Sequence, residues 1–189
     1  MFTQCNFKYK GNRKYVHSTD IYKFLQKKYS RLSSLEFLIK SKSKNQLLFK
    51  DNIQDNVFDR RDIFCKGKLN IKRFIFLKSK KKIKHSYKFD ENKYDKLFEV
   101  NKNFIKCKTL IKDDFIDLII CMINYIHKKK FPRKKYLLVK LIQLKKIQTN
   151  SLKMQNLKIR TTVNNHSPIS LNKVYLNNKT ILEIVYINN

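Results

Sequence analysis

Alanine and tryptophan are absent from this 189-residue chain, glycine and proline occur twice each, and 14 acids face 44 lysines and arginines. Each scarcity excludes something. With Gly11 and Gly67 as the only glycines, no Gly-rich phosphate loop or nucleophile elbow can be written. The four cysteines, Cys5, Cys65, Cys107 and Cys121, are widely spaced without a CxxC pair, which points to buried reduced thiols rather than a zinc ribbon or a disulfide framework. His17, His85, His127 and His166 stand far apart and form no metal-spaced set, so neither a cofactor nor a metal is expected. Residues 1–12 lack the apolar core of a signal peptide, no Arg/Ser/Ala-rich transit segment follows, and the longest apolar run, residues 115–126, is too short for a membrane span of ~20 residues.

What is present is charge. The net +30 destabilises an isolated compact chain by self-repulsion and favours association with a polyanion, nucleic acid ahead of an anionic membrane. The abundance of Lys, Asn, Ile, Phe and Tyr matches AT-rich codons, which points to a compact, AT-rich genome such as an organelle's, and a protein working there would be made inside the organelle. The charge is densest within residues 71–100. There a strand-like run, residues 71–77, opens with Lys72 and Arg73 and leads into six lysines among the eleven residues 78–88. Lys78, Lys80, Lys81, Lys82, Lys84 and Lys88 alternate with Ser79, His85, Ser86 and Tyr87, which can hydrogen-bond phosphate or ribose. This reads as a basic loop between two strands.

Along the chain, residues 5–17 could supply an edge strand around Gly11. Ser18 and Thr19 then cap an amphipathic helix with Ile21, Phe24, Leu25, Tyr29 and Leu32 on one face. Residues 33–62 read as an insertion or irregular arm, and Gly67 as a turn residue. A second helix is expected with Asp113, Asp114 and Asp117 in its first turns, where their charges complement its dipole without implying a catalytic site, and with Lys128, Lys129 and Lys130 following its far end ahead of a basic turn that holds Arg133. Residues 136–144 read as a central strand buried on both faces. The domain would span residues 1–144, and residues 145–189 form a C-terminal extension with β-prone pieces at LKIRTTV, NKVYL and TILEIVYI.

The reliable elements give the order β-α-β-β-α-β, an α+β, ferredoxin-like split βαβ: an antiparallel sheet with two helices on one face. At this point the basic stretch resembles the signature region of the tenth protein of the small ribosomal subunit. Phe76-Leu77-Lys78-Ser79, Ser86 at the family's spacing, Phe89-Asp90 and Leu97 carry the likeness, and Ser18-Thr19-Asp20 resembles the start of the family's first helix. The proline-rich entry to the family's second strand is missing here. The resemblance implies a non-catalytic structural protein of a mitochondrial small subunit, whose long loop enters ribosomal RNA in the head beside other head proteins, with no small-molecule substrate. The RNA-binding residues would be Lys72, Arg73, Lys78, Ser79, Lys80, Lys81, Lys82, Lys84, His85, Ser86, Tyr87, Lys88, Lys128, Lys129, Lys130 and Arg133. Lysine contacts of this kind fix position rather than read bases. The competing readings are another organellar ribosomal or nucleic-acid-binding protein, and a basic peripheral subunit of an inner-membrane complex.

Overall fold

The structure, a computed structural model, describes residues 1–29, 32–53, 58–102, 104–107, 115–132, 135–147, 157–163 and 168–188. They fall into two compact units, Met1–Asp90 and Glu91–Asn189.

The first unit contains strands β1 (Thr3–Gln4) and β2 (Tyr9–Lys10), helix α1 (Ser18–Lys28), and strands β3 (Leu35–Ile39), β4 (Asn45–Asp51), β5 (Ile63–Leu69), β6 (Lys72–Lys82) and β7 (Ser86–Tyr87). Five strands form an antiparallel sheet in the order β1-β4-β6-β5-β3, while β2 and β7 pair in parallel. Aromatic residues explain how α1 seats on this sheet. The Phe24 ring lies 5.3 Å from Phe49 on β4, 5.7 Å from Phe76 on β6 and 6.0 Å from Phe7. Phe49 and Phe76 face each other in register, their centroids 4.9 Å apart, and both are shut away from solvent. Burying a side chain of this size contributes roughly 2–3 kcal/mol. Ile21, Tyr22 and Leu25 add the inward stripe of α1, and Lys27 and Lys28 complement the negative end of its dipole. The N-cap is His17 in extended backbone, one residue before the expected Ser18, and its ring accepts from the Thr19 amide.

The second unit contains β8 (Phe98–Asn101), β9 (Phe104–Cys107), α2 (Phe115–Lys130), β10 (Tyr136–Gln143), β11 (Leu157–Val163), β12 (Ile169–Leu176) and β13 (Lys179–Asn188). Its strands are ordered β10-β13-β12-β11-β9-β8. Every residue of α2 from Phe115 to Ile123 is buried, so the helix is covered on all sides over that length, as its apolar sequence requires. β11, β12 and β13 form a meander. The β12–β13 turn runs through Asn177 and Asn178 at φ 50° and 62°, the left-handed pair that a tight hairpin needs. β10 is mostly half-buried rather than enclosed on both faces.

The expected ferredoxin-like split βαβ is corrected by this topology. Each helix belongs to its own unit with its own set of strands, and the order β-α-β-β-α-β is not followed. The reason lies in residues that looked irregular. Residues 33–62 contribute β3 and β4, whose inward Leu35, Phe37, Leu47 and Phe49 are each no more than 1% exposed, and residues 157–188 contribute three more strands. The expected basic loop is corrected as well, because β6 continues to Lys82. Its outer half pairs with β4, Leu47 opposite Lys78 and Asn45 opposite Lys82.

The two units share a plan up to a point. In each, the helix is followed by a strand at one place in the sheet, β3 or β10, and then by one three places away, β4 or β11. The two places between are filled in opposite order. In the second unit the next strand, β12, lies beside β11; in the first, β5 lies beside β3 and leaves the place beside β4 to β6.

Candidate functional site

The sixteen residues expected to meet RNA do not form one loop. Lys72, Arg73, Lys78, Ser79, Lys80, Lys81 and Lys82 lie on β6, where the Ser79 carbonyl accepts from Asn45 Nδ2 at 2.9 Å and its hydroxyl from the Lys81 amide at 3.1 Å. Lys84, His85 and Lys88 are exposed, and the His85 carbonyl accepts from the Tyr9 amide at 2.8 Å. Ser86 and Tyr87 make up β7; the Tyr87 hydroxyl donates to Asp20 Oδ1 at 2.9 Å, which ties it to α1. Lys128, Lys129 and Lys130 close α2, with Lys128 donating to Asn92 Oδ1 at 2.9 Å and Lys129 lying 5.3 Å from the Tyr125 ring centre. Arg133, Asp113 and Asp114 lie outside the described residues.

Near the start of α1 is a compact polar cluster. Lys10, only 3% exposed, donates to Thr19 Oγ1 at 2.9 Å, and its ammonium sits 3.9 Å from the Phe89 ring centre. Arg13 contacts His17 Nε2. Burial, then the charges of Arg13, Lys10 and Lys23, push the His17 imidazole well below its ordinary value and keep it neutral. The Lys10–Thr19 bond ties β2 to the start of α1, to which the Tyr87–Asp20 bond also holds β7.

The second unit has a polar network that the sequence reading did not find. His127, in the last turn of α2, places Nε2 2.8 Å from Ser170 Oγ on β12. Asn172, two residues along, brings Nδ2 to 3.2 Å from both Ser170 Oγ and the Ile184 carbonyl, and its Oδ1 accepts from Thr161 Oγ1 on β11 at 2.8 Å. Ser170 and Asn172 are fully buried, Thr161 and His127 nearly so. Because the Asn172 amide donates to Ser170 Oγ, the serine hydrogen is available to His127 Nε2. The imidazole stacks on Tyr136 with centroids 4.2 Å apart, and burial lowers its pKa to about 4. Such a base is neutral near pH 7. Its Nδ1 meets no hydrogen-bond partner among the described residues. The pattern behind this network is legible in hindsight: on β12 the inward positions are Ser170, Asn172 and Val174, so two polar residues hold the face that faces the core.

Beside the network a cleft of about 190 Å³ opens between the end of α2 and the end of β11, lined by Lys130, Phe131, Arg160, Thr161, Thr162 and Val163. Thr161 belongs to both cleft and network. Lys130 donates to the Lys102 carbonyl, and the Arg160 guanidinium lies 5.9 Å from the Phe104 ring centre, so both cations are anchored to the β8–β9 hairpin. The first unit has a larger cleft, about 390 Å³, at the end of α1.

No protein-family model and no curated protein matches the chain. Solved structures that resemble it include the tesB protein of Mycobacterium avium subspecies paratuberculosis, 6% identical, covering 96% of this chain and 91% of that one at a TM-score of 0.47. Others are acyl-CoA thioesterase II TesB2 of Mycobacterium marinum, 8% identical over 83% and 80% at 0.33, and a protein of unknown function with a hot dog fold from Alicyclobacillus acidocaldarius, 7% identical over 83% and 78% at 0.32. At these values the likeness assigns neither a fold nor a reaction to this chain.

The ribosomal resemblance is corrected: no ribosomal family model matches, and the fold it implied is not formed. The readings that depended on it fall with it: the structural role in a small subunit, ribosomal RNA and head proteins as partners, and the exclusion of an enzyme or a small-molecule substrate; the competing nucleic-acid-binding and membrane-peripheral readings, which rested on charge, are not supported either.

Proposed function

We propose that the second unit binds the anionic group of a small molecule in the cleft between α2 and β11. The observation that carries this reading is that Lys130, Arg160 and Thr162 line one opening beside the Phe131 ring. A planar guanidinium and an ammonium suit a phosphate or carboxylate, and the Thr162 hydroxyl can donate to a remaining oxygen. The negative end of the α2 dipole opposes an anion there, and Lys128, Lys129 and Lys130 in the last turn offset it. The volume, about 190 Å³, lies below the ~300 Å³ at which a site encloses a whole drug-sized ligand. The cleft therefore grips one charged group and leaves the rest of the molecule outside.

The test is titration of the purified chain with inorganic phosphate, followed by the Thr161, Thr162 and Arg160 resonances. Arg160→Glu is expected to abolish the site-specific response, while Lys80→Glu with Lys81→Glu, on the other unit, leaves it unchanged. Equal loss in both variants would reduce the effect to diffuse attraction by a +30 chain and overturn the reading.

A second reading, hydrolysis of an ester or thioester, is favoured by the Ser170–His127 pair at 2.8 Å. Ser170 Oγ would attack the acyl carbonyl, His127 Nε2 would take its proton and return it to the leaving alcohol or thiol, and water would then release the acid. Ser170 is fully covered, so this reaction requires its cover to open. The thioesterase names above concern those proteins alone. Hydrolysis of an acetyl thioester that disappears in folded Ser170→Ala and His127→Gln supports the second reading, and unchanged hydrolysis in either variant ends it.

A further inference from the structure

The larger cleft lies in the first unit, where Lys28 and Tyr29 at the end of α1, Asp51 at the end of β4, and the β5–β6 turn meet. Its position within its unit parallels that of the second unit's cleft. Each lies where a helix ends in lysine followed by an aromatic residue, Lys28-Tyr29 or Lys130-Phe131, and each includes the last residue of the strand three places across the sheet, Asp51 or Val163. The walls differ in chemistry. The second unit offers hydroxyls, whereas the first offers Leu32, Leu69 and Ile71.

We infer that this cleft is a second ligand site, and that it takes a small amphiphile with an anionic head and an unbranched apolar tail. Three features support this. Leu32 and Leu69 are 3% and 4% exposed, while Ile71, on the turn above them, is 93% exposed, so an aliphatic chain in the cleft would cover an apolar side chain that the protein leaves in water. Lys28 and Lys72 supply two cations at the same opening. The single acid, Asp51, is engaged by the Tyr29 hydroxyl, and burial together with that hydrogen bond and the Asp51 charge pushes the Tyr29 phenol above its ordinary value, so it keeps its proton. The cleft thus presents cations to a head group while its carboxylate is already occupied. Its volume of about 390 Å³ falls within the ~300–1,000 Å³ typical of small-molecule sites, about twice that of the other cleft.

This inference stands on the first unit's own residues and does not require the second unit's cleft to bind phosphate. The probe is decanoate, titrated by calorimetry into the full chain, with decyltrimethylammonium as the control of opposite charge. Decanoate is expected to bind, and Ile71→Asp, an exposed turn position, to weaken it roughly tenfold or more through lost burial and added repulsion. Lys72→Glu is expected to weaken decanoate while improving decyltrimethylammonium, a reversal that lost folding cannot produce. Arg160→Glu, in the other unit, should leave decanoate untouched, which separates the two sites. No saturable decanoate binding, equal affinity for both amphiphiles, or binding unaffected by Ile71→Asp would each overturn the assignment.

Discussion

His127 Nε2 and Ser170 Oγ, 43 residues apart in the chain, lie 2.8 Å from each other inside the second unit, and the far nitrogen of the same ring meets no partner among the described residues. A ring held in this way can accept one hydrogen bond but cannot take up a proton without placing a charge in an apolar interior.

Stability should therefore fall in mild acid. Burial holds the folded His127 at about 4, below the 6.5 of an unperturbed histidine. Between those values the unfolded chain binds a proton that the folded chain does not. The stabilisation is complete above 6.5 and is lost as pH falls through the window towards 4, by roughly 3 kcal/mol in all. His17, lowered by burial and by Arg13, acts in the same direction. Urea midpoints measured at pH 7 and pH 5 should differ, and His127→Gln should shrink the difference. Identical midpoints in the parent chain would refute this account of both histidines.

Gly67 admits no side chain. It sits within β5, opposite Phe37 on β3 and Phe74 on β6. A Cβ there would overlap the Glu36 carbonyl oxygen and come within 2.7 Å of Phe74 Cζ and 2.8 Å of Phe37 Cα. Two of those atoms are backbone and cannot move cheaply. Gly67→Ala is expected to cost about 3 kcal/mol or more, as overpacking of a fixed site does. Denaturation of the variant measures it, and a loss under ~0.5 kcal/mol would contradict the β3–β5 register.

Asn70 acts as a clasp. At φ 53° it turns the chain between β5 and β6, and its Oδ1 accepts from the Ser34 amide at 2.9 Å, the Ser33 amide at 3.2 Å and the Ser33 hydroxyl at 2.9 Å. Asn70→Ala removes the acceptor and leaves a side chain in the left-handed region, at a cost of about 1–3 kcal/mol. Asn70→Gly should recover only the backbone share. If both variants match the parent in thermal melts, the clasp has no energetic role.

The thiols should be silent until the chain opens. All four cysteines are buried, and burial pushes Cys5 up to about 12 and raises Cys65 further. Thiolate is the reactive form. A thiol reagent at neutral pH should label the native protein slowly, at the rate of opening, and all four sites rapidly in denaturant. Prompt labelling of Cys65 in the native state would place it at a surface.

The two helices were legible because apolar residues at helical spacing bury one stripe of α1 and most of α2, and because lysines gather at their ends. LKIRTTV and the pieces within β12 and β13 were likewise readable as strands. The partners of those strands were not, since nothing local indicates that Phe49 meets Phe76 or that β4 waits for β6. Lysines misdirected the reading of β6: Lys80, Lys81 and Lys82 are exposed but still hold strand backbone, because a charged side chain facing water does not oppose pairing. Gly67 looked like a turn signal and instead marks close packing. The candidate site was hidden for the opposite reason. Ser170, Asn172 and Thr161 are ordinary polar residues in sequence, and only the cross-strand register that sets Thr161 opposite Asn172 makes them a network with His127.

The exchanged places of the middle strands separate the two units in time. β11, β12 and β13 each lie beside the strand made just before or after, so that face of the second unit can zip up as it leaves the ribosome. β4 has no such neighbour to hand. Leu47 and Phe49 emerge early, and their cover on β6 arrives only after all of β5 has been synthesised. For that interval the β4 edge that β6 will cover is unpaired, and an unpaired strand edge is the kind of surface that favours misassembly during synthesis.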